Sequence, residues 1–301
     1  MVREGVTRPD QVVNEVRRLE ITTRHLVRDL VAGEFSSAFR GRGVEFAEVR
    51  EYQPGDDVRT IDWNVTARLG SAYVKRYHEE RELTVLFVVD LSGSMGFGSR
   101  VRTKGGLAVE VAAVLALAAA RSNDRVGLLC FSDRVEQFIA PARGRRHAMR
   151  LVAELLTSVA RGGRTDLGSC LAYLDPLLRR RAVVFVVSDF LATGFEEALG
   201  RLARRHDVIA IQLRDPRERD LPAVGLIPVA DPETGRFTWV DSDDPAVRAR
   251  LAQRARERDA ALTALLRRHG VDHLPLDADR TYAEPLLAFF RRRQKQVGRV
   301  A

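Results

Sequence analysis

Asp90, Ser92 and Ser94 put three oxygen-bearing side chains into one short loop, directly behind the apolar run Val85 to Val89. Carboxylate and hydroxyl oxygens are hard ligands. They suit Mg²⁺ or Mn²⁺ rather than zinc or copper. Three ligands do not complete a six-coordinate shell, and two further segments can add to them. One is Gly162-Gly163-Arg164-Thr165-Asp166, ahead of a helical pattern; the other is Ser188-Asp189-Phe190, behind a strand pattern. Together they amount to two carboxylates and several neutral hydroxyls. With no metal or Arg between them, Asp90 and Asp189 would repel and one of the two pKa values would rise. Thr165 is a ligand candidate, directly or through water. Asp166 is read as a helix N-cap; Ser188 could hydrogen-bond within the site, and a structural role is the expectation.

Other chemistries fit these residues less well. A Mg²⁺-dependent phosphatase using Asp90 as nucleophile needs a second acid to protonate the leaving group. The residue two positions on is Ser92, which does that poorly. Ser94 follows a glycine, but the Gly-x-Ser-x-Gly elbow fails at Ser92. Neither a Gly-x-x-x-x-Gly-Lys-Ser/Thr phosphate loop nor His-Glu-x-x-His occurs, and the six histidines have no ligand spacing. The expectation is a non-enzyme. A phosphatase-like hydrolase using Asp90 and a scaffold with a vacant site stand as the alternatives.

Composition sets the frame. The formal charge of +8 comes from 49 basic residues, of which only Lys75, Lys104 and Lys295 are lysine. The basic residues are spread along the chain, whereas a nucleic-acid face would cluster them. Cys130 and Cys170 show no metal spacing, and their scarcity suits a reducing compartment. The segment Met1 to Asp10 is charged and lacks a signal-peptide core. The stretch Val111 to Ala120 is too short to span a bilayer. A cytoplasmic bacterial protein with no membrane span and no nucleic-acid partner is expected.

The loops need a scaffold to bring them together. Apolar residues at Val12, Val16, Leu19, Leu26 and Leu30 predict a helix over 10–32. Pro54-Gly55 marks a turn, and 72–77 reads as a strand. From Leu83 the pattern alternates: strands at 83–89, 125–131, 134–140, 182–188, 207–213 and 271–275, with helices at 103–122, 146–160, 167–180, 194–205, 244–269 and 281–293. Residues 216–243 read as an inserted hairpin. This alternation predicts an α/β fold, a doubly wound and mostly parallel sheet with an N-terminal extension. The expected division is residues 1–78, the helix plus a signature segment, and residues 79–301, the main domain. In the block 51–68, Asp56, Asp57, Arg59, Asp62 and Arg68 are expected to form an ion-pair network with Trp63 as a core anchor. The alternative for that block is a partner-docking surface.

These residues carry a resemblance. Asp90, Ser92, Ser94, Thr165 and Asp189 match, in order, the metal-ion-dependent adhesion site of the von Willebrand factor A fold. The block from Tyr52 to Trp63, with Ala67-Arg68, looks like the signature of the bacterial domain of unknown function 58 family, which precedes a von Willebrand A-like domain. The resemblance runs from about residue 35 to about residue 215. It departs at Phe190, where many such domains carry Gly after the Asp. It implies a Mg²⁺-dependent binding module whose open metal position takes an Asp or Glu from a partner protein. It also implies work alongside a MoxR-type AAA+ ATPase.

Overall fold

The computed structural model describes residues 9–31, 38–39, 44–54, 56–58, 61–79, 83–99, 101–158, 163–230 and 235–297. Helix α1 (Pro9–Asp29) turns its apolar stripe inward. Val12 and Val16 pack with Ala113 and Val152, so the N-terminal helix is seated on helices of the main domain. Next come β1 (Val44–Glu51), helix α2 (Trp63–Leu69) and β2 (Tyr73–Glu79), with β1 and β2 paired as an antiparallel ribbon.

Helix α2 is absent from the sequence expectation and corrects it. The Asp62 carboxylate accepts from the backbone N–H groups of Asn64 and Val65, and Gly70, at φ 80°, ends the helix after seven residues. The helix buries none of its residues, and Trp63 is 69% exposed rather than a core anchor. The helix contacts the second strand of the ribbon, and its indole stays in solvent. Of the expected ion network, Asp56 pairs with Arg50 at 2.6 Å, while Asp62 is occupied as a cap. Arg59 lies outside the described residues.

The alternating pattern from residue 83 forms β3 (Thr84–Asp90), α3 (Lys104–Arg121), β4 (Arg125–Phe131), β5 (Val135–Ala142), α4 (Arg145–Thr157), α5 (Leu167–Leu174), β6 (Val183–Ser188), α6 (Glu196–Arg205) and β7 (Asp207–Arg214). After the hairpin β8 (Leu226–Ala230) and β9 (Phe237–Asp241) come α7 (Pro245–Arg268), β10 (Asp272–Asp277) and α8 (Ala283–Val297). Helix α5 stops short of the expected 180 because Pro176 has no N–H to continue the ladder. The inserted hairpin is confined to 226–241. Residues Pro216–Glu218 form a separate 3-10 turn.

The main sheet has the order β10-β7-β6-β3-β4-β5. Every neighbouring pair is parallel except β4 with β5. Central β3 is buried on both faces, as its valine-rich run requires. Val85, Phe87 and Val89 pack towards α3 and α8, whereas Leu86 and Val88 pack towards α5, α6 and α7. Each such side chain contributes about 2 kcal/mol on burial, so β3 is fixed in register and its last residue, Asp90, is fixed with it. The chain runs from β3 to β4 on one side and returns to β6 on the other. The strand order therefore reverses at β3/β6, and the crevice beyond their carboxyl ends is where open α/β sheets bind ligands.

Candidate metal centre

Asp90 is the last residue of β3, and Asp189 follows the last residue of the adjacent parallel strand β6. Both carboxylates are buried, as are Ser92 and Ser94. A tight turn holds the first loop: the Ser92 N–H donates to Asp90 Oδ1 at 2.8 Å, and a 3-10 turn, Gly93–Gly96, follows. Helix α3 closes on this turn through Gly105. A Cβ there would lie 3.1 Å from the Met95 carbonyl oxygen, so the neighbour would have to give way for any larger residue.

The second carboxylate oxygen of Asp90 accepts from the Ser188 hydroxyl at 2.6 Å. Ser188 in turn accepts from the Phe190 N–H at 3.0 Å. Ser188 therefore hydrogen-bonds within the site. Asp189 Oδ1 accepts from the Leu191 N–H at 3.1 Å, and its Oδ2 accepts from Lys104 Nζ at 2.7 Å. Phe190 takes φ 55°, the left-handed region that glycine enters freely. The position where the resembled domains carry Gly thus keeps a glycine-like backbone without glycine. The ring is buried against Phe195, with centroids 5.9 Å apart, which offsets the backbone cost.

The third loop is anchored from both sides. The Gly93 N–H reaches the Gly163 carbonyl at 3.5 Å, and the Asp166 N–H donates to the Ser132 carbonyl at 2.8 Å. Thr165 is half-buried on the stretch of loop between these two anchors. Asp166 caps α5 through the Ser169 N–H at 2.9 Å, as expected. Gly162 lies outside the described residues.

The two carboxylates are coupled electrostatically. Burial first, and the Asp189 charge second, push the Asp90 carboxyl from 3.8 up to about 6, against the hydrogen bonds from Ser188 and Ser92. Burial works to lower the Lys104 ammonium, but Asp189 and Glu218 beside it raise it overall, so it stays charged. The donor set fits a small hard ion. Ser92 Oγ and Ser94 Oγ are 3.1 Å apart, close to the roughly 3.0 Å edge of an octahedron with ligands about 2.1 Å from the metal. Among the described residues no group of three or more His, Cys, Asp or Glu side chains could hold a metal. An ion held here would be met by hydroxyls as well as carboxylates.

Sequence reasoning missed Lys104. Its partners lie 85 and 114 residues away, so no local pattern reveals them. The available signal was a lysine opening an apolar helix in a chain whose basic residues are almost all arginine.

The family described as "Protein of unknown function DUF58" matches residues 48–261, a span that holds the 51–68 block and all five candidate ligands. The chain belongs to the DUF58 family. A relative from Mycobacterium tuberculosis, the uncharacterized protein Rv1480, is 32% identical over 298 residues, covering 98% of this chain and 93% of its own. A relative from Paracoccus denitrificans, named as an uncharacterized protein in the moxR 3′ region, is 36% identical over 102 residues, 33% of this chain and 96% of that one. Solved structures similar to this DUF58 chain include BatB of Bacteroides thetaiotaomicron, 12% identical over 71% of this chain and 99% of that one, with a TM-score of 0.44. The von Willebrand A domain of SpRpn10 is 13% identical over 68% and 93%, with a TM-score of 0.35. Among the described residues no helix is long and apolar enough to cross a membrane.

Proposed function

We propose that this DUF58 protein is a non-enzymatic adaptor that grips an Asp or Glu of a partner protein through Mg²⁺, with Mn²⁺ able to substitute. Asp90, Ser92, Ser94, Thr165 and Asp189 would hold the ion. The observation that carries this reading is the pair of buried carboxylates at the strand-order reversal. One of them is raised to about 6 by burial and its neighbour, and two hydroxyls stand 3.1 Å apart beside it. When bound, the ion would supply Lewis-acid attraction for an incoming carboxylate. Two protein carboxylates only neutralise its charge, so a third, from outside, remains attractive. Ser188 orients Asp90, and the cap at Asp166 steadies the loop bearing Thr165. Hydrolase chemistry finds less support. The neighbouring acid, Asp189, is committed to Lys104 instead of being free to donate a proton.

The partner we propose is a MoxR-type AAA+ ATPase, in a bacterial cytoplasm. The resemblance at the 51–68 block and the moxR 3′ region for which the Paracoccus relative is named support it. The two cysteines are free and buried, in keeping with a reducing compartment. Val58 and Trp63, exposed on the signature block, and Leu69 just after it suit a second contact with the partner. The test is capture of the MoxR-type ATPase from the same genome on immobilised protein. Capture is expected with Mg²⁺ and lost both with a chelator and in Asp90→Ala. Capture that survives both contradicts the proposal.

A further inference from the structure

Lys104 opens α3 with its side chain fully out of solvent. Its ammonium lies 2.7 Å from Asp189 Oδ2 and 2.5 Å from Glu218 Oε1. A buried ammonium is costly unless it is paired and hydrogen-bonded, and here two carboxylates meet that need. The arrangement is fixed at both ends. The Lys104 N–H donates to the Phe97 carbonyl at 2.9 Å, which locks the start of α3 to the loop behind the Ser94 turn. Glu218 belongs to the 3-10 turn capped by Asp215. Asp215 in turn accepts from the Ser99 N–H at 2.8 Å and from its hydroxyl at 2.6 Å, strapping that same loop to the turn. The lysine is therefore built into the site.

We propose that Lys104 is a resident counter-cation of Asp189 that keeps divalent-metal affinity low, so that the ion is held firmly only once a partner carboxylate joins it. The inference rests on the metal reading above and adds a residue to it. A dication at Asp90 and Asp189 must share Asp189 with the ammonium, and two cations on one carboxylate repel through a water-poor medium where charge acts strongly. Glu218 draws the ammonium away from Asp189 and eases the entry of the metal. In metal-free protein, Lys104 and Asp189 stay paired.

The test is calorimetric titration of the full-length chain with Mn²⁺ alone, using wild type, Lys104→Met, Glu218→Gln and Asp90→Ala, with thermal melts in parallel. Lys104→Met is expected to bind Mn²⁺ at least about tenfold more tightly than wild type, since one opposing unit charge is gone. Its melting temperature should drop without metal and recover with it. Glu218→Gln is expected to bind several-fold more weakly, because Lys104 then falls wholly to Asp189, and it serves as the decisive variant if Lys104→Met does not fold. Binding by Lys104→Met where wild type shows none also supports the proposal. If wild type binds, Asp90→Ala does not, and Lys104→Met is no tighter than wild type, the role of Lys104 is overturned while the metal site stands. Equal or tighter binding by Glu218→Gln also overturns it. If no variant binds, both fall.

Discussion

The Ser188 hydroxyl donates to Asp90 Oδ2 across 2.6 Å, linking two parallel strands through side chains 98 residues apart. The bond is buried, and the serine also accepts from the Phe190 N–H. Removing the hydroxyl strips a donor from one group and an acceptor from another. Ser188→Ala is expected to cost about 1–3 kcal/mol in urea unfolding at neutral pH. It should also raise the Asp90 carboxyl further, because that hydrogen bond favours the charged form. An NMR titration of Asp90 that leaves its midpoint unmoved would contradict this.

The raised Asp90 carboxyl sets a pH dependence with a definite sign. Between about pH 4 and 6 the folded protein holds a proton that the unfolded chain has released. Metal-free stability should therefore fall as pH rises through that window and stay penalised above it, by about 3 kcal/mol. Asp90→Asn removes the charge, so it should be more stable than wild type at pH 7.5 and close to it at pH 4. Mg²⁺ requires the ionised form, so its affinity should weaken below about pH 6. Denaturant unfolding at the two pH values, with and without Mg²⁺, measures both effects.

Phe190 gives a test of stored backbone strain. Its left-handed φ favours glycine, while its buried ring favours phenylalanine. Phe190→Ala loses the ring and keeps the strain, a loss of about 3–5 kcal/mol. Phe190→Gly loses the ring and relieves the strain, so it should be more stable than the alanine variant by about 1 kcal/mol. Chemical denaturation of the pair reads the difference directly, and an alanine variant at least as stable as the glycine one would be the contrary result.

Trp63 is expected to matter for binding and little for folding. At 69% exposure it has no core to leave, so Trp63→Ala should shift stability by less than about 0.5 kcal/mol. Capture of the ATPase should weaken, since exposed aromatics often anchor interfaces. A loss of several kcal/mol in the melt would mean that the indole is buried after all.

These cases mark how far the sequence could be read. The run Val85 to Val89 announced a doubly buried strand, and its position before Asp90 placed one carboxylate at the edge of a sheet. The helix 103–122 was legible because its alanines and leucines admit close packing on that sheet. Trp63 was misread because composition cannot separate an aromatic that fills a core from one that decorates a short capped helix. The conformation of Phe190 was hidden because large residues seldom enter the left-handed region, and nothing local predicts the exception. The pairing of Lys104 was hidden because its two carboxylates approach only once α3, β6 and the turn after β7 have been assembled.

The most direct measurement is an anomalous difference map from crystals soaked in Mn²⁺. The account predicts one peak within coordination distance of Asp90, Ser92 and Ser94, absent in Asp90→Ala crystals of the same form. A map with no peak there, or an undiminished peak in Asp90→Ala, would contradict it.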